Sequence, residues 1–179
     1  MKQINTIILL SIVQVALGQE LKIKYFTEDS LMRQEYYVKS NTDSLHGESK
    51  FFNADGILIE HREYHNDRLW NVIAICDESG QTIVDKGSLK DGNGTVFIYE
   101  AGVRRTICTY RNGLKHGQYI SFYENSVVKE TGNYFNGIRC GVTFQYLRNG
   151  QLEHHQSTTH QIDCRGKESN WDLNTTDEN

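Results

Sequence analysis

Aromatic residues recur along this chain at a nearly constant interval. One series advances by 24, 23, 24 and 23 residues, with a cysteine in its second place: Phe52, Cys76, Tyr99, Tyr123 and Tyr146. A second series falls between its members: Tyr64, Tyr110 and Tyr134. A fixed period in the twenties is the sequence signature of a repeat architecture, so the repeat decides the predicted fold.

Each repeat unit has the length and the turn residues of a β-hairpin. The period is shorter than the roughly 33 residues that a pair of helices requires, and it fits two strands of about five or six residues each. Pairs of turn-forming residues keep the same period: Asp55-Gly56, Ser79-Gly80, Ala101-Gly102, Asn125-Ser126 and Asn149-Gly150. Chain reversals are also expected at Asn112-Gly113 and Asn136-Gly137, because Asn-Gly is among the strongest short hairpin signals.

These patterns predict an all-β protein, an array of consecutive antiparallel hairpins that form one extended meandering sheet. A single hairpin is marginally stable in water, so each unit needs its neighbours. The chain contains no proline, where average usage of about 5% would give roughly nine. Proline removes a hydrogen-bond donor from central strands, so its absence agrees with a long ladder. We expect the rings of the first aromatic series to line up on one face.

One motif repeats closely enough to suggest a family. Tyr-x-Asn-Gly-x-x-x-Gly occurs at Tyr110 and again at Tyr134, a step of 24. This motif, followed by an aromatic residue and a second turn, resembles the MORN repeat family, and more closely its YwqK-type, antitoxin-like variants. The resemblance covers about 47–152 and assigns glycine to one place in each unit: Gly47, Gly94, Gly117 and Gly141. It implies a hairpin array used for binding or scaffolding, without a cofactor.

The second unit departs most from this pattern. Asn71 stands where glycine is expected, Cys76 replaces an aromatic residue, and the stretch 87–92 is out of phase. The predicted organisation is a signal peptide at 1–18, a degenerate capping unit at 19–46, the repeat domain at 47–155 and a polar, flexible tail at 156–179.

The N-terminus has the pattern of a secretory signal. A basic start precedes an apolar stretch at 7–13, and Ala16-Leu17-Gly18 supplies small residues before a cleavage site after Gly18. The alternative, a membrane anchor, requires about 20 apolar residues, far more than this run offers. We therefore predict a secreted or periplasmic protein.

The charge balance limits the class of partner. The formal net charge is −4, or −5 once Lys2 is removed with the signal. No basic stripe is present that would attract nucleic acid or an anionic membrane surface. The expected partner is another protein, including a toxin, or a surface glycan.

Two groups of residues offer metal-ligand chemistry. His61, Glu63 and His65 alternate along one strand and so share a face, but neighbouring Tyr64 should face the packed side, which leaves the triplet on a solvated face. The second group, at the edge of the array, lacks a fixed scaffold for four ligands: His154, His155, His160 and Cys164. We predict no metal site in either place.

The four cysteines of a secreted chain are permitted to form disulfides, and three connectivities are possible. Cys76 occupies an aromatic place in the repeat, which favours a buried free thiol. Cys140 and Cys164 could tie the tail to the last unit.

The sequence carries no standard enzyme signature, neither a nucleophile elbow, a zinc-protease helix nor a phosphate loop. The leading hypothesis is a non-enzymatic binding or scaffolding module outside the cytoplasm. A toxin-sequestering immunity protein is the first alternative. A secreted glycan-acting enzyme is the second, and it would require a deep pocket with two converging carboxyl groups.

Overall fold

A computed structural model describes residues 18–25, 33–83, 85–157 and 164–165. This part of the chain contains eleven strands and no helix. The strands are β1 (Gln19–Tyr25), β2 (Arg33–Lys39), β3 (Leu45–Phe52), β4 (Leu58–His65), β5 (Arg68–Ile75), β6 (Gly94–Glu100), β7 (Val103–Arg111), β8 (Leu114–Phe122), β9 (Val128–Phe135), β10 (Ile138–Tyr146) and β11 (Leu152–Ser157).

All strand pairings are antiparallel and join strands that are consecutive in sequence, so the predicted all-β hairpin array is confirmed. The meander is nevertheless divided in two. Strands β1 to β5 form one open sheet, and β6 to β11 form a second, each in sequence order. The expected single sheet is therefore interrupted once, between β5 and β6.

The predicted turns are all present in the structure. Turn or bend residues occupy 54–56, 78–80, 101–102, 124–126 and 148–150. Asn112-Gly113 has φ values of +50° and +74°, and Asn136-Gly137 has +47° and +89°. Positive φ at both central residues is what a tight type I′ hairpin turn requires. The Asn-Gly signal was therefore a reliable guide to the register of the second sheet.

The interruption falls on the unit that departs most from the repeat. After β5, Cys76 pairs with Thr82 in an isolated bridge, and the described residues from there to β6 form no regular strand. Gly94, the first residue of β6, has a φ of +127°, and a Cβ built there would lie 2.5 Å from the carbonyl oxygen of Ser88. Only glycine fits this close approach of two backbones.

The hydrophobic core lies where the two sheets meet. It joins β5, the connection and β6 to β8 through eight buried residues: Leu69, Val72, Ile75, Leu89, Val96, Cys108, Tyr110 and Tyr119. Tyr64, Tyr99 and Tyr134 are partly buried against it. The second aromatic series is therefore a core series throughout.

The members of the first aromatic series differ in their packing. Tyr99 packs on the core, whereas Phe52, Tyr123 and Tyr146 are half-buried and lie outside that cluster. The Tyr123 hydroxyl donates to the carbonyl of Tyr146 at 2.8 Å, and the Phe52 ring lies under the Arg33 guanidinium at 4.0 Å. The Phe52 and Tyr123 rings thus have cationic neighbours, since Lys129 and Arg148 lie over Tyr123.

Three backbone hydrogen bonds hold the turns together across the interruption. The amide of Gly92 donates to the carbonyl of Trp70 at 2.8 Å, and the amide of Gly113 donates to the carbonyl of Gly92 at 2.8 Å. The amide of Leu69 donates to the carbonyl of Gly113 at 3.1 Å, so the three bonds connect the start of β5, the Gly92 turn and the Gly113 turn to one another. The connection thus substitutes for the missing strand pairing at this end.

The ends of the array extend the predicted boundaries only slightly. The β1–β2 hairpin occupies the proposed capping unit, and β11 runs to Ser157, two residues past the boundary set at 155. A disulfide joins Cys140 in β10 to Cys164, one of the pairings that the sequence left open. The signal-peptide segment 1–17 and most of the tail lie outside the described residues. The described part holds no helix that could cross a bilayer.

Candidate binding groove

Three adjoining hollows lie along one face of the array. Their volumes are about 450, 360 and 290 Å³. The first and second share Ile98, the first and third share Glu100, and the second and third share Thr106, Ser121 and Lys129. We refer to the three as the junction, middle and distal hollows, and to their continuous course as the groove.

The groove changes its charge along its length. The junction hollow, between the two sheets, has one cation and four carboxylates: Arg62, Glu60, Asp77, Glu78 and Glu100. The middle hollow reverses this balance, with three cations and one carboxylate: Lys115, Lys129, Arg139 and Glu130. The distal hollow has Arg105, Lys129 and Arg148 against Glu100 and Glu124. A ligand in the groove would therefore meet an acidic end and a basic end.

A hydrogen-bonded network around Glu130 forms the floor of the middle hollow. Tyr119, only 4% exposed, donates its hydroxyl to Glu130. Arg139 approaches the same carboxylate at 3.1 Å, and Gln145 donates to its second oxygen at 3.3 Å. Burial, aided by the hydrogen bond with Glu130, raises the pKa of Tyr119. The network fixes Glu130 inside the protein and uses most of its acceptor capacity.

A glycine on the neighbouring strand makes room for this network. Gly132 in β9 lies opposite Tyr119 in β8, and a Cβ at Gly132 would come within 2.7 Å of the Tyr119 ring. The ring therefore lies flat over the β9 backbone. Its hydroxyl then reaches Glu130, which lies on the same face of β9 two residues before Gly132.

The cations of the groove rest on tyrosine rings. Lys115 lies 5.2 Å from the centre of the Tyr134 ring, and the Arg139 guanidinium lies 5.8 Å from the same centre. Lys129 and Arg148 lie 5.9 Å and 5.1 Å from the centre of the Tyr123 ring. Such contacts contribute roughly 0.5–1 kcal/mol each when exposed. The two tyrosines thus hold four positive groups over the groove.

A buried free thiol lies beneath the middle hollow. Cys108 is 1% exposed, and burial raises the pKa of its thiol. Burial likewise raises the pKa of nearby Tyr110 to about 12. The sequence had assigned the buried free thiol to Cys76, which is wrong: Cys76 is free but half-buried, since it lies at the mouth of the junction hollow.

The carboxylates of the junction hollow have structural partners. Asp77 accepts hydrogen bonds from the Ser79 hydroxyl and from the amides of Ser79 and Gln81, at 2.6, 2.9 and 3.0 Å. The Ser79 hydroxyl in particular lowers the pKa of Asp77. Glu60 pairs with Arg62, whose side chain is 18% exposed. Asp77 is therefore a turn-forming group that remains ionised.

The histidine triplet of β4 lies on a half-buried face, less solvated than expected. The His61 side chain is 15% exposed and lies 3.1 Å from Glu48, and His65 lies 3.1 Å from Glu63. The His65 ring also stacks between His46 and Trp70, with centroids 5.3 and 4.6 Å apart. Rings on adjacent strands cover this face, which sequence alternation alone does not reveal.

The second histidine group is not assembled as a ligand set. His154 and His155 lie on β11, where the His155 ring faces Phe144 at 6.2 Å. Cys164 is bonded to Cys140, so its sulfur is not a thiolate ligand. His160 lies outside the described residues. Across the described ranges, no three His, Cys, Asp or Glu side chains group as metal ligands.

The architecture is that of a β-hairpin repeat protein, and two segments identify the repeat. Residues 45–66 and 115–136 match the family described as MORN repeat variant. The first match spans the β3–β4 hairpin, and the second spans the β8–β9 hairpin except for its first residue. The chain thus carries MORN-variant repeats, as the sequence motif predicted. The closer likeness to YwqK-type members remains a prediction. No curated protein matches this chain.

Repeats of this family typically serve binding or scaffolding and are generally non-catalytic, and the open array is consistent with that role. Of the four repeat glycines, Gly94 begins a strand and the other three lie within strands. Gly47, Gly117 and Gly141 adopt positive φ values of 107°, 84° and 68°.

Sequence reasoning missed part of the groove. Lys115, Arg139 and Tyr119 were not singled out from the sequence. A signal for the first two is present, because each follows an Asn-Gly pair at the same distance: Asn112-Gly113-Leu114-Lys115 and Asn136-Gly137-Ile138-Arg139. A basic residue at a fixed repeat position places successive cations on the same face.

Proposed function

We propose that this protein is an extracytoplasmic binding or scaffolding module that holds a partner protein in the groove without performing chemistry on it. The observation that carries the proposal is the continuity of the groove across hairpins of both sheets, with cations held over it by Tyr123 and Tyr134. A groove of this kind offers several anchoring groups in a row, as hairpin repeats in an array do.

The disulfide supports a location outside the cytoplasm. Cys140–Cys164 is a bond that persists in oxidising compartments and is rare in reducing ones. Together with the signal-like N-terminus, it favours export. Intact-mass measurement of the protein recovered from a native host should give an N-terminus at Gln19. Recovery of a cytoplasmic form that retains Met1 would contradict this part of the proposal.

The binding role is tested by capture of a partner from the native host. Tagged wild-type protein should retain a specific protein, whereas the double variant Lys115→Gln/Arg139→Gln should retain much less. Lys90→Gln is the matched control, because Lys90 is an exposed lysine that lines none of the three hollows. Equal capture by all three proteins would overturn the assignment of binding to the groove.

An alanine scan separates this role from that of an enzyme. Binding spread along a row of residues is lost in steps, with a few anchors dominating. Single substitutions along the groove should therefore cause graded losses of affinity. A turnover activity that one carboxylate substitution abolishes would favour the enzyme instead.

A toxin-sequestering role is the finer form of the same proposal. It is favoured by the resemblance of the Tyr-x-Asn-Gly motif at Tyr110 and Tyr134 to the antitoxin-like variants. The captured partner would then be a protein toxic to cells when expressed alone. Co-expression with this chain should restore growth, and co-expression with the Lys115→Gln/Arg139→Gln variant should not. Restored growth with both proteins would show that protection from the toxin does not depend on the groove.

A further inference from the structure

We infer that the middle and distal hollows recognise an acidic segment of a partner protein through the cations of Lys115, Lys129 and Arg148. The inference rests on the proposed function, since it names the partner chemistry of the same groove.

The ion pairs of the groove leave these three cations without compensation. Arg105 shows the contrasting case: it is 17% exposed and pairs with Glu100 at 3.4 Å and with Glu124 at 3.3 Å. Within the described residues, no carboxylate oxygen lies within 4.0 Å of Lys115, Lys129 or Arg148. Arg105 is thus an internal structural cation, whereas the other three present charge to the groove.

The fourth cation of this surface adds little charge of its own. Arg139 pairs with Glu130, which also accepts from Tyr119 and Gln145. The middle and distal hollows therefore keep a net positive charge from Lys115, Lys129 and Arg148. Like charges gathered on one concave surface repel, and an anionic ligand relieves that repulsion.

The rings beneath these cations argue against a glycan. Sugars stack on an aromatic face that is open to the ligand. Tyr134 already carries Lys115 and Arg139, and Tyr123 already carries Lys129 and Arg148. The rings therefore position the cations. The ammonium and guanidinium groups are the parts that contact a ligand, and they are complementary to the carboxylates of Glu and Asp side chains.

The acidic junction hollow argues against a uniform polyanion. Glu60, Asp77, Glu78 and Glu100 face Arg62 there. A nucleic acid or polyuronate that followed the groove would carry its negative charge into this end. A protein segment can place acidic residues over one end and neutral or basic residues over the other. The change of charge along the groove therefore favours a peptide with an acidic stretch.

The distances involved suit a short stretch of chain. Lys115 lies in β8, Lys129 in β9 and Arg148 just after β10. Glu130, next to Lys129, pairs with Ser121 and Gln145, whereas Tyr134 pairs with Gly117, so Lys115 lies at the opposite end of the β8–β9 hairpin from Lys129 and Arg148. About six residues along the strands separate the two ends, or roughly 20 Å. An extended peptide covers that span with about six residues, so a run of about six acidic residues can meet all three cations.

The test measures direct binding of defined probes at low salt. The first probe is a fluorescein-labelled peptide with two lysines, two glycines and six glutamates in that order. The second is a labelled hexagalacturonate, and the third is a labelled single-stranded oligonucleotide of similar charge. Fluorescence anisotropy should show that the peptide binds most tightly and that added salt weakens its binding.

Variants locate the site on the protein. Lys129→Gln and Arg148→Gln should each weaken peptide binding by roughly 3- to 5-fold, the effect of losing one exposed ion pair. Lys90→Gln, which makes the same charge change away from the groove, should leave binding unchanged. Both groove residues are exposed, so unchanged melting temperatures will show that the variants remain folded.

Each of the other outcomes overturns the inference. Tighter binding of the uronate or the oligonucleotide would assign the groove to that ligand class. A peptide that does not bind, or that binds equally to the groove variants and to Lys90→Gln, would exclude acidic recognition here. Groove-dependent capture of a native partner would still support the proposed function in that case, so the two failures are distinguishable.

Discussion

The carbonyl of Gly92 accepts a hydrogen bond of 2.8 Å from the amide of Gly113, although the two glycines belong to different units of the array. Backbone hydrogen bonds of the same kind link successive hairpins elsewhere. The amide of Asp67 donates to the carbonyl of Leu45 at 2.9 Å, and the amide of Gly137 donates to the carbonyl of Lys115 at 2.8 Å. The Gly92 contact lies at the break between the sheets, where Gly92 also donates to Trp70. The turn-to-turn bonding therefore continues across the point where strand pairing stops.

Gly92→Ala should destabilise the protein strongly. Gly92 has a φ of +76°, and an added Cβ would lie 2.7 Å from the Gly113 nitrogen and 2.9 Å from the Trp70 ring. Gly102→Ala is the matched control, with a φ of +74° and nothing within 4 Å of its Cβ. The control should lose about 1–2 kcal/mol from the backbone conformation alone. Gly92→Ala should lose about 1–3 kcal/mol more through steric conflict. Urea unfolding compares the two, and equal losses would mean that the close contact at the junction is absent.

Tyr119→Phe should cost more stability than Tyr123→Phe. The Tyr119 hydroxyl donates to a carboxylate in a buried network, and hydrogen bonds to charged groups contribute roughly 1.5–3 kcal/mol. Glu130 keeps two other partners in the variant, so we expect the lower end of that range. The Tyr123 hydroxyl donates to a neutral carbonyl, which should contribute roughly 0.5–1.5 kcal/mol. Chemical denaturation measures both, and a larger loss for Tyr123→Phe would contradict the network.

Cys164→Ser should remove the covalent tie between the last hairpin and the C-terminal segment. The disulfide spans a sequence separation of 24 residues, and closing such a loop is worth roughly 2–4 kcal/mol. Cys76→Ser, which changes a half-buried free thiol, should cost less than about 1 kcal/mol. In the presence of a reductant, wild type and Cys164→Ser should have the same unfolding free energy. A persistent difference under reduction would show that Cys164 contributes by packing.

Alkaline pH should destabilise the protein through its buried tyrosines. Burial raises the pKa of Tyr110 to about 12, and the pKa of Tyr119 is also raised, whereas an unfolded tyrosine titrates near 10. Between these values the folded state retains a proton that the unfolded state loses. Stability is therefore complete below about pH 10 and falls as the pH rises toward 12, by up to roughly 1.4 kcal/mol per pH unit for each tyrosine.

This pH dependence can be assigned to one residue. Unfolding free energies measured at pH 9, 10 and 11 should fall less steeply for Tyr110→Phe than for wild type. Absorbance at 295 nm should show tyrosines that titrate only on unfolding. A single titration near pH 10 for all tyrosines would place the two hydroxyls in contact with solvent.

The local elements of this protein could be predicted, because the signals for them are local. Asn112-Gly113 and Asn136-Gly137 fixed two tight turns, and the assignment of Tyr64 to the packed side is confirmed by its place against the core. In the sequence, the interruption of the sheet was visible only as the departure of the unit around Cys76 from the repeat pattern. Its structural meaning depends on Leu89, which is buried in a core cluster made of residues from both sheets.

The groove was less accessible to prediction than the fold. Alternation along β4 correctly placed His61 and Tyr64 on opposite faces of the strand. It could not show that Glu48, on the neighbouring strand, partly covers His61. The network of Tyr119 and Glu130 depends in the same way on strand register and on the space left by Gly132. Pairing between strands decides both cases, and a single sequence shows the period of the repeat more clearly than the neighbours of each residue.

Within each of the two sheets, strands pair only with their immediate neighbours in sequence, so the length of a sheet is set by the number of hairpins. The pairing of the described strands therefore requires no contact between distant parts of the chain. Such an arrangement favours folding that spreads from one hairpin to the next. It also means that a duplicated unit of about two strands, inserted within the second sheet, would lengthen the groove by roughly 10 Å. The reach of the binding surface is thus open to change by gene duplication, while the single junction between the sheets keeps its packing.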